Sequence, residues 1–403
     1  MKTAVVGGGA AGFFLAINLK EMCPQMDITI LEASHHVLAK VKISGGGRCN
    51  CTNSFEEVKD LQSVYPRGHR LLKRLFKQFD YRDAYQWFER RGVKLVTQAD
   101  QCVFPQSQDS QTIINLFLSE ARRLGITIQT GCRITNLDAL SAYDFIAITT
   151  GGMNHSSFLT SHFSFSDIVA PLPSLFTFNI EDKALRDLMG TVVEATAMIP
   201  GTKMRASGPL LITHWGMSGP CILRLSSYAA RLLSEHNYQM PLAVNWTQLK
   251  ENEVQQELAS FCRQYAQKQL PSIRPFELPQ RLWTYLIDKS LQGRARAPWG
   301  SLNQKELNRL CNILINDTYQ IAGRAPFKDE FVTCGGIDLS AVNPSTLESK
   351  EHPHLYFAGE VLDIDGVTGG FNFQAAWTTA YAVAKAIAGI ANRACDFSSD
   401  SFG

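Results

Sequence analysis

The chain has 403 residues, of which 45% are hydrophobic and 19% charged, with a formal net charge of +2. That length allows two or three domains with a sizeable core. The near-neutral balance excludes a global pull toward nucleic acid or an anionic membrane, so any such partner needs a local patch, and no apolar run is long enough to span a bilayer.

In chain order, Lys2–Val6 reads as a buried strand, Gly7–Gly12 as a glycine-rich turn, Ala10–Met22 as a helix and Asp27–Glu32 as a second strand. This βαβ opening predicts a right-handed parallel pair. The apolar stretch Thr3–Leu19 behind Lys2 has the outline of a signal peptide. Its three consecutive glycines break a helical h-region and no cleavage site follows, so a folded start is expected. Lys40–Asn53 is irregular and glycine-rich. Helical patterns follow at Arg70–Phe79, Tyr81–Arg91 and Gln111–Leu124, with strands at Ile126–Gln129 and Asp144–Thr149.

Pro171, Pro173, Pro200, Pro209 and Pro220 then punctuate short β pieces from about Leu175 to Ile212. Gln248–Ile315 is mostly helical, broken by Pro271, Pro275, Pro279 and Pro298. Strands at Asp317–Gly323, Phe331–Cys334 and His354–Ala358 precede a last helix, Gly370–Ala388. The pattern is that of an α/β nucleotide-binding domain interrupted by one large insertion, part β and part α. The ten cysteines include no C-x-x-C pair. They point to reduced thiols, a cytoplasmic setting and no metal site. Cys49 and Cys51 are too close in sequence for an unstrained disulfide.

Gly7-x-Gly9-x-x-Gly12 follows a strand and opens a helix. The glycines serve a tight turn, the approach of a pyrophosphate, and close helix–strand packing, and the helix N-terminus offers free N–H groups. Glu32 ends the second strand and can accept hydrogen bonds from both ribose hydroxyls. An acid there repels a 2′-phosphate, so the adenosine end is not that of NADP. The motif alone does not separate FAD from NAD.

Three later features favour FAD. Thr149-Thr150-Gly151-Gly152 ends an apolar strand. Leu355–Glu360 is an apolar strand closing on Gly359 and the acid Glu360, a partner for ribitol hydroxyls. Gly369-Gly370-Phe371-Asn372 opens the C-terminal helix, whose N-terminus can face the flavin edge where charge accumulates on reduction. A fourth feature, Ser44–Asn50, has consecutive glycines that let N–H groups converge on a polar ligand, with Arg48 placed to face the pyrophosphate or the flavin.

The strings SGGGRCNCTN, VFPQS (Val103–Ser107), THWGMSGP (Thr213–Pro220), VTCGGI (Val332–Ile337) and YFAGEVLDIDGVTGGFNFQAAW (Tyr356–Trp377) resemble one family. It is the bacterial NAD(P)/FAD-dependent oxidoreductase family of the BaiN and aminoacetone-oxidase type, the YhiN-like flavoproteins, and the likeness runs from residue 1 to about Ile390. The resemblance implies a Rossmann-like FAD-binding domain built from both chain ends, interrupted by an inserted β-barrel and an α-helical subdomain. The expected boundaries are 1–185 and 336–403 for the FAD domain and 186–335 for the insertion, with the barrel at about 186–247 and 316–335 and the helices at about 248–315. It also implies FAD contacts at Gly7, Gly9, Ala10, Ala11, Gly12, Glu32, Lys40, Gly46, Gly47, Arg48, Cys49, Asn50, Ile134, Thr150, Gly151, Gly359, Glu360, Gly370, Phe371 and Asn372.

This chain departs from the family pattern in two places. Leu38-Ala39 stands before Lys40 where a glycine and a basic residue are usual. Met153–Asp167 lacks the usual proline and glycines, and should lie near the flavin edge.

The flavin carries the hydride chemistry, and no residue is assigned as catalytic. His214 can pass a proton at neutral pH but reads more simply as structural or exposed. Cys49 reads as a packed thiol, and Asp363 and Asp365 as loop residues. No second Gly-x-Gly-x-x-Gly follows a strand. NAD(P)H would therefore act as a transient co-substrate, or oxygen would be the other redox partner. The expected substrate is a small molecule, an activated C=C or an amine. The alternatives are a flavin enzyme acting on tRNA, with Arg281, Lys289, Arg294, Arg296 and Arg309 as a basic patch, and a non-catalytic flavin binder. The sequence leaves the oligomeric state open.

Overall fold

The computed structural model describes residues 1–152, 167–324 and 332–399, with side chains through residue 394. The chain forms two compact units, Met1–Leu172 with Val332–Gly403, and Pro173–Phe331.

The first unit opens with β1 (Lys2–Val6), α1 (Ala10–Met22), β2 (Asp27–Leu31) and α2 (Ala39–Gly47). Both strands are buried after their first residue rather than alternately, as parallel strands covered on both faces must be. Residues Ala11–Leu19 of α1 are all buried. A helix apolar on every side needs cover on every side. It is packed against the C-terminal helix, where Phe14 and Trp377 rings lie 5.1 Å apart.

Next come β3 (Thr52–Asn53), α3 (His69–Leu75), α4 (Tyr81–Glu89), β4 (Leu95–Thr97), β5 (Cys102–Pro105), α5 (Gln111–Arg123), β6 (Thr127–Gln129), β7 (Phe145–Ile148) and β8 (Ile168–Ser174). Asp80 caps α4 in a reciprocal box with Asp83.

The second unit holds β9 (Phe178–Ile180), α6 (Lys183–Arg186), β10 (Val192–Met198), β11 (Arg205–Thr213), β12 (Gly216–Ser218), α7 (Pro220–Tyr228), α8 (Ala230–Glu235), β13 (Pro241–Asn245), α9 (Glu251–Gln264), α10 (Gln280–Leu291), α11 (Gln304–Ile315) and β14 (Asp317–Arg324). Its strands close a barrel in the order β10-β11-β12-β9-β14-β13. The fold is therefore a Rossmann-like domain with an inserted barrel and helices. Trp246, Trp283 and Trp299 are fully buried in this unit's own core.

The chain returns to the first unit with β15 (Val332–Ile337), β16 (Leu355–Phe357) and α12 (Phe371–Ser399). The main sheet has the order β16-β7-β1-β2-β6, with every pair parallel. Val6 pairs with Leu31 on one side and Ile148 on the other, and Ile148 pairs with Phe357. Four strands thus end level on one edge of the sheet.

Three expectations shift. The stretch expected to be irregular from Lys40 contains α2, whose helical part ends where Ser44, Gly45 and Gly46 leave helical geometry. The helix expected at Arg70–Phe79 stops at Leu75. The small sheet β3-β5-β4 was not expected. Phe331 lies outside the described residues, and its strand begins at Val332.

Candidate functional site

In an open parallel sheet, ligands settle beyond the carboxyl ends of the strands, where neighbouring connections diverge. Here those ends carry Gly7–Gly12 after β1, Glu32 after β2, Thr149–Gly151 after β7 and Ala358–Glu360 after β16.

The first turn is held tightly. A side chain at Gly7 would overlap the Thr149 carbonyl, and one at Gly12 would overlap the Gly7 carbonyl and sit 2.8 Å from Thr149 Oγ1. The Thr149 hydroxyl bonds the carbonyls of Val6 (3.1 Å) and Gly7 (2.9 Å). Gly9, by contrast, faces open space. At Ala10, Ala11 and Gly12 the amino end of α1 has neither a side-chain cap nor an acid in its first turn. Its N–H groups and positive dipole end are available to a diphosphate.

Glu32 accepts from the Gly8 N–H and the Ser34 N–H, both at 2.8 Å. Two backbone donors fix its rotamer, and each oxygen keeps a lone pair for a hydroxyl. A Cβ on Gly359 would lie 2.8 Å from that of Ala11, so the end of β16 adjoins the start of α1. The Gly359 N–H is held by Thr379 Oγ1 at 2.9 Å. Glu360 accepts from Lys40 Nζ and from the Thr333 N–H, both at 2.8 Å, and faces Gly151. Thr150, beside it, is half-buried.

The 44–53 segment is joined to the start of α12. With its amide oriented to satisfy both ends, Asn50 donates to the Thr52 carbonyl (2.8 Å) and accepts from the Gly370 N–H (3.1 Å). Asn53 donates to the Gly369 carbonyl at 3.0 Å, and Trp377 Nε1 to the Cys51 carbonyl at 2.8 Å. Gly46 and Gly47 face open space. The Arg48 guanidinium lies over the Phe104 ring at 4.2 Å and donates from Nε to the Gly45 carbonyl. Cys49 and Cys51 are fully buried with their sulfurs 3.9 Å apart, and burial, reinforced by Cys49, pushes the Cys51 thiol up.

On the far side of this loop, Tyr65 donates to the Phe371 carbonyl at 2.8 Å. Asn372 closes the preceding turn through both the N–H and the carbonyl of Gly366, each at 2.8 Å. Arg67 grips the buried Asp365 with two nitrogens, and Asp363 accepts from the Gly335 N–H at 3.1 Å. Ile134 is half-buried in the irregular segment after β6. His214 is exposed on the β11–β12 turn of the second unit, its ring 4.3 Å from that of Trp215. Of the divergent stretch Met153–Asp167, residues 153–166 lie outside the described residues.

Sequence reasoning missed the supports Tyr65, Arg67 and Thr379, and the part played by the Thr149 hydroxyl. Thr149 opens a recognisable glycine motif, whereas Thr379 lies nine residues beyond Gly370, inside α12. Tyr65 and Arg67 sit in a stretch with no glycine signature, and only the fold brings them to residues 365–371.

The model of the HI0933-like protein Rossmann domain matches residues 1–386.

The chain belongs to the HI0933-like family.

Membership makes it a flavoprotein-type oxidoreductase with an FAD-binding fold. This HI0933-like chain is 25% identical to the 3-dehydro-bile acid delta(4,6)-reductase of Clostridium scindens, over 96% of this chain and 99% of the relative. It is also 25% identical to the ribosomal RNA dihydrouridine synthase of Haemophilus influenzae, over 95% of this chain and 97% of the relative. Among solved structures, the 3-ketosteroid delta1-dehydrogenase of Sterolibacterium denitrificans superposes with a TM-score of 0.47 at 11% identity, covering 96% and 99% of the two chains.

Proposed function

We propose that this protein is an FAD-dependent reductase that adds hydrogen across a C=C bond conjugated to a carbonyl. The observation that carries the cofactor is the level edge of β2, β1, β7 and β16, with an open glycine turn and Glu32 at one end and Gly359–Glu360 at the other. The uncapped amino end of α1 holds the pyrophosphate, and Glu32 holds the adenosine ribose. Glu360, kept in place by Lys40 and Thr333, meets the ribitol. The Gly46–Asn50 loop and the amino end of α12, which has no acid in its first turn, border the ring.

Bound FAD supplies two-electron hydride transfer. The dipole of α12 is worth roughly 0.3–2 kcal/mol to charge at the ring edge. The chemical class rests on what the names of the two relatives share. A 3-oxo delta(4,6) steroid and a uracil ring each present a C=C bond polarised by a carbonyl, and the named products have it saturated. NAD(P)H serves as a transient electron donor, since no second dinucleotide turn follows a strand.

The test is anaerobic. Heat-denatured protein should release FAD, and NADH or NADPH should bleach the native yellow protein. Cyclohex-2-enone or a uridine oligomer should then restore the colour. Release of FMN alone, or reoxidation by oxygen but by no conjugated acceptor, would overturn the reading.

A further inference from the structure

The second unit holds a cavity of about 460 Å³ that the cofactor site does not use. Lys305, Asn308, Arg309 and Asn312 of α11 line it, with Lys289 of α10 and Gln292 just past that helix. Positions 305, 308, 309 and 312 recur at helical spacing and share one face. Glu306, Leu310, Cys311 and Leu314 are the buried residues of the same helix. The lining contains three cations, no carboxylate, no aromatic ring and one aliphatic side chain.

Two of the cations are unpaired and the third is held in place. Among the described residues, neither Lys305 nor Arg309 takes part in an ion pair. The nearest carboxylate in sequence, Glu306, is buried and accepts from Arg294 at 2.6 Å and from the Asn303 N–H at 2.9 Å. Lys289 donates to Asp317 at 2.7 Å and to the Tyr285 hydroxyl at 3.2 Å, with its nitrogen 4.1 Å from the centre of the Tyr319 ring. An ammonium has three N–H groups, so one remains for the cavity that Lys289 lines. Asn308 accepts from Gln304 at 2.9 Å through its side-chain oxygen, which leaves its own amide N–H groups as donors.

These features narrow the ligand. Two unpaired cations match a phosphomonoester, which carries about −1.5 to −2 charge at neutral pH. The amides of Gln292, Asn308 and Asn312 both donate and accept, as hydroxyls require. With almost no apolar lining there is nothing to cover an apolar body, and without an aromatic side chain nothing stacks on a base. The volume falls within the range of small-molecule sites, roughly 300–1,000 Å³. An extended polyanion fits less well. Of the five cations that read from the sequence as a basic patch, Arg281 is engaged by the carbonyls of Asp187 and Met189, Lys289 by Asp317 and Arg294 by Glu306.

We infer that this cavity binds a phosphorylated sugar. Lys305 and Arg309 hold the phosphate, Lys289 adds a donor whose position is set before the ligand arrives, and the three amides bond the sugar hydroxyls. The site lies entirely within one unit, so the inference does not depend on the flavin or on the reductase reading.

The experiment is isothermal titration calorimetry on the full FAD-loaded chain in phosphate-free buffer. Ribose 5-phosphate, glucose 6-phosphate and fructose 1,6-bisphosphate are the probes, with glucose, inorganic phosphate and AMP for comparison. At least one sugar phosphate should bind more tightly than inorganic phosphate and AMP, and glucose should not bind. Lys305→Gln combined with Arg309→Gln should weaken that binding about tenfold or more, through the loss of charge-assisted hydrogen bonds. Asn308→Ala should weaken the sugar phosphate and leave the affinity for inorganic phosphate unchanged. A control with Lys203→Gln and Lys268→Gln, both exposed in the same unit, should bind as the parent does. Melting temperatures without ligand should match throughout, since none of the substituted cations belongs to a described ion pair.

No binding of any of the three sugar phosphates would overturn the inference. So would inorganic phosphate or AMP binding as tightly as the best of them. Binding that survives the Lys305 and Arg309 substitutions, or that falls equally in the control, would place the ligand elsewhere and overturn it as well.

Discussion

Glu32 shows what one residue does at this site. Its carboxylate pins the glycine turn through Gly8 and its own loop through Ser34, while the ribose needs the same oxygens. Glu32→Ala removes both roles. Glu32→Gln keeps an acceptor oxygen but loses the charge. Hydrogen bonds to a charged group are worth about 1.5–3 kcal/mol, so Glu32→Ala should weaken FAD binding roughly 10- to 150-fold. Glu32→Gln should fall between it and the parent. Equilibrium dialysis against FAD reads both, and unchanged retention in Glu32→Ala would remove Glu32 from the ribose. Lys40→Ala should behave differently. Its side chain is 54% exposed where it pairs with Glu360, and exposed pairs contribute only about 0–1 kcal/mol. A melting temperature within a few degrees of the parent is expected; a large drop would mean the pair holds α2 in place.

At the scale of elements, long periodic segments were readable and short ones were not. β1 and α1 lie where the pattern placed them because each contains one uninterrupted apolar run. α2 was hidden by the glycines at its end. The strands of β3-β5-β4 span two to four residues each, too few for an alternation to register. The glycine motifs announced the cofactor edge, but the pairing of Arg67 with Asp365 needed the fold, because nothing local links residues 298 positions apart. The same holds in the barrel. Asp317 at the start of β14 is completely buried, paired with Lys289 at 2.7 Å, and accepts from Trp246 Nε1 at 3.0 Å and from Tyr319. Burial pushes its carboxyl up while Lys289 and the two other donors pull it back. Asp317→Ala leaves Lys289 without its counter-charge and the Trp246 N–H without an acceptor. Removing one partner of a buried pair costs about 3–5 kcal/mol. Urea unfolding should show a loss of that order, and pairing it with Lys289→Met should recover part of it. A loss below about 1 kcal/mol would mean that the site relaxes around water.

For the whole molecule, every residue assigned to FAD lies in Met1–Leu172 or after Val332, and none in Pro173–Phe331. The two crossings between these segments run through neighbouring strands. β8 pairs with β15, Asp338 N–H bonds the Asp167 carbonyl at 2.8 Å, and Gly335 sits against Ala170. Residues 172 and 332 therefore end on adjacent strands, a separation that a hairpin turn of about four residues can close. The inserted segment has a closed barrel and its own buried core, so its removal opens no edge of the parallel sheet. A chain joining Leu172 to Val332 through such a turn should fold, unfold cooperatively and bind FAD as the parent does. Absorbance near 450 nm after dialysis and a single thermal transition that rises with added FAD are the measurements. A folded but colourless product would move part of the cofactor site into residues 173–331. Retained FAD together with lost turnover on conjugated acceptors would assign the insertion to substrate rather than to cofactor.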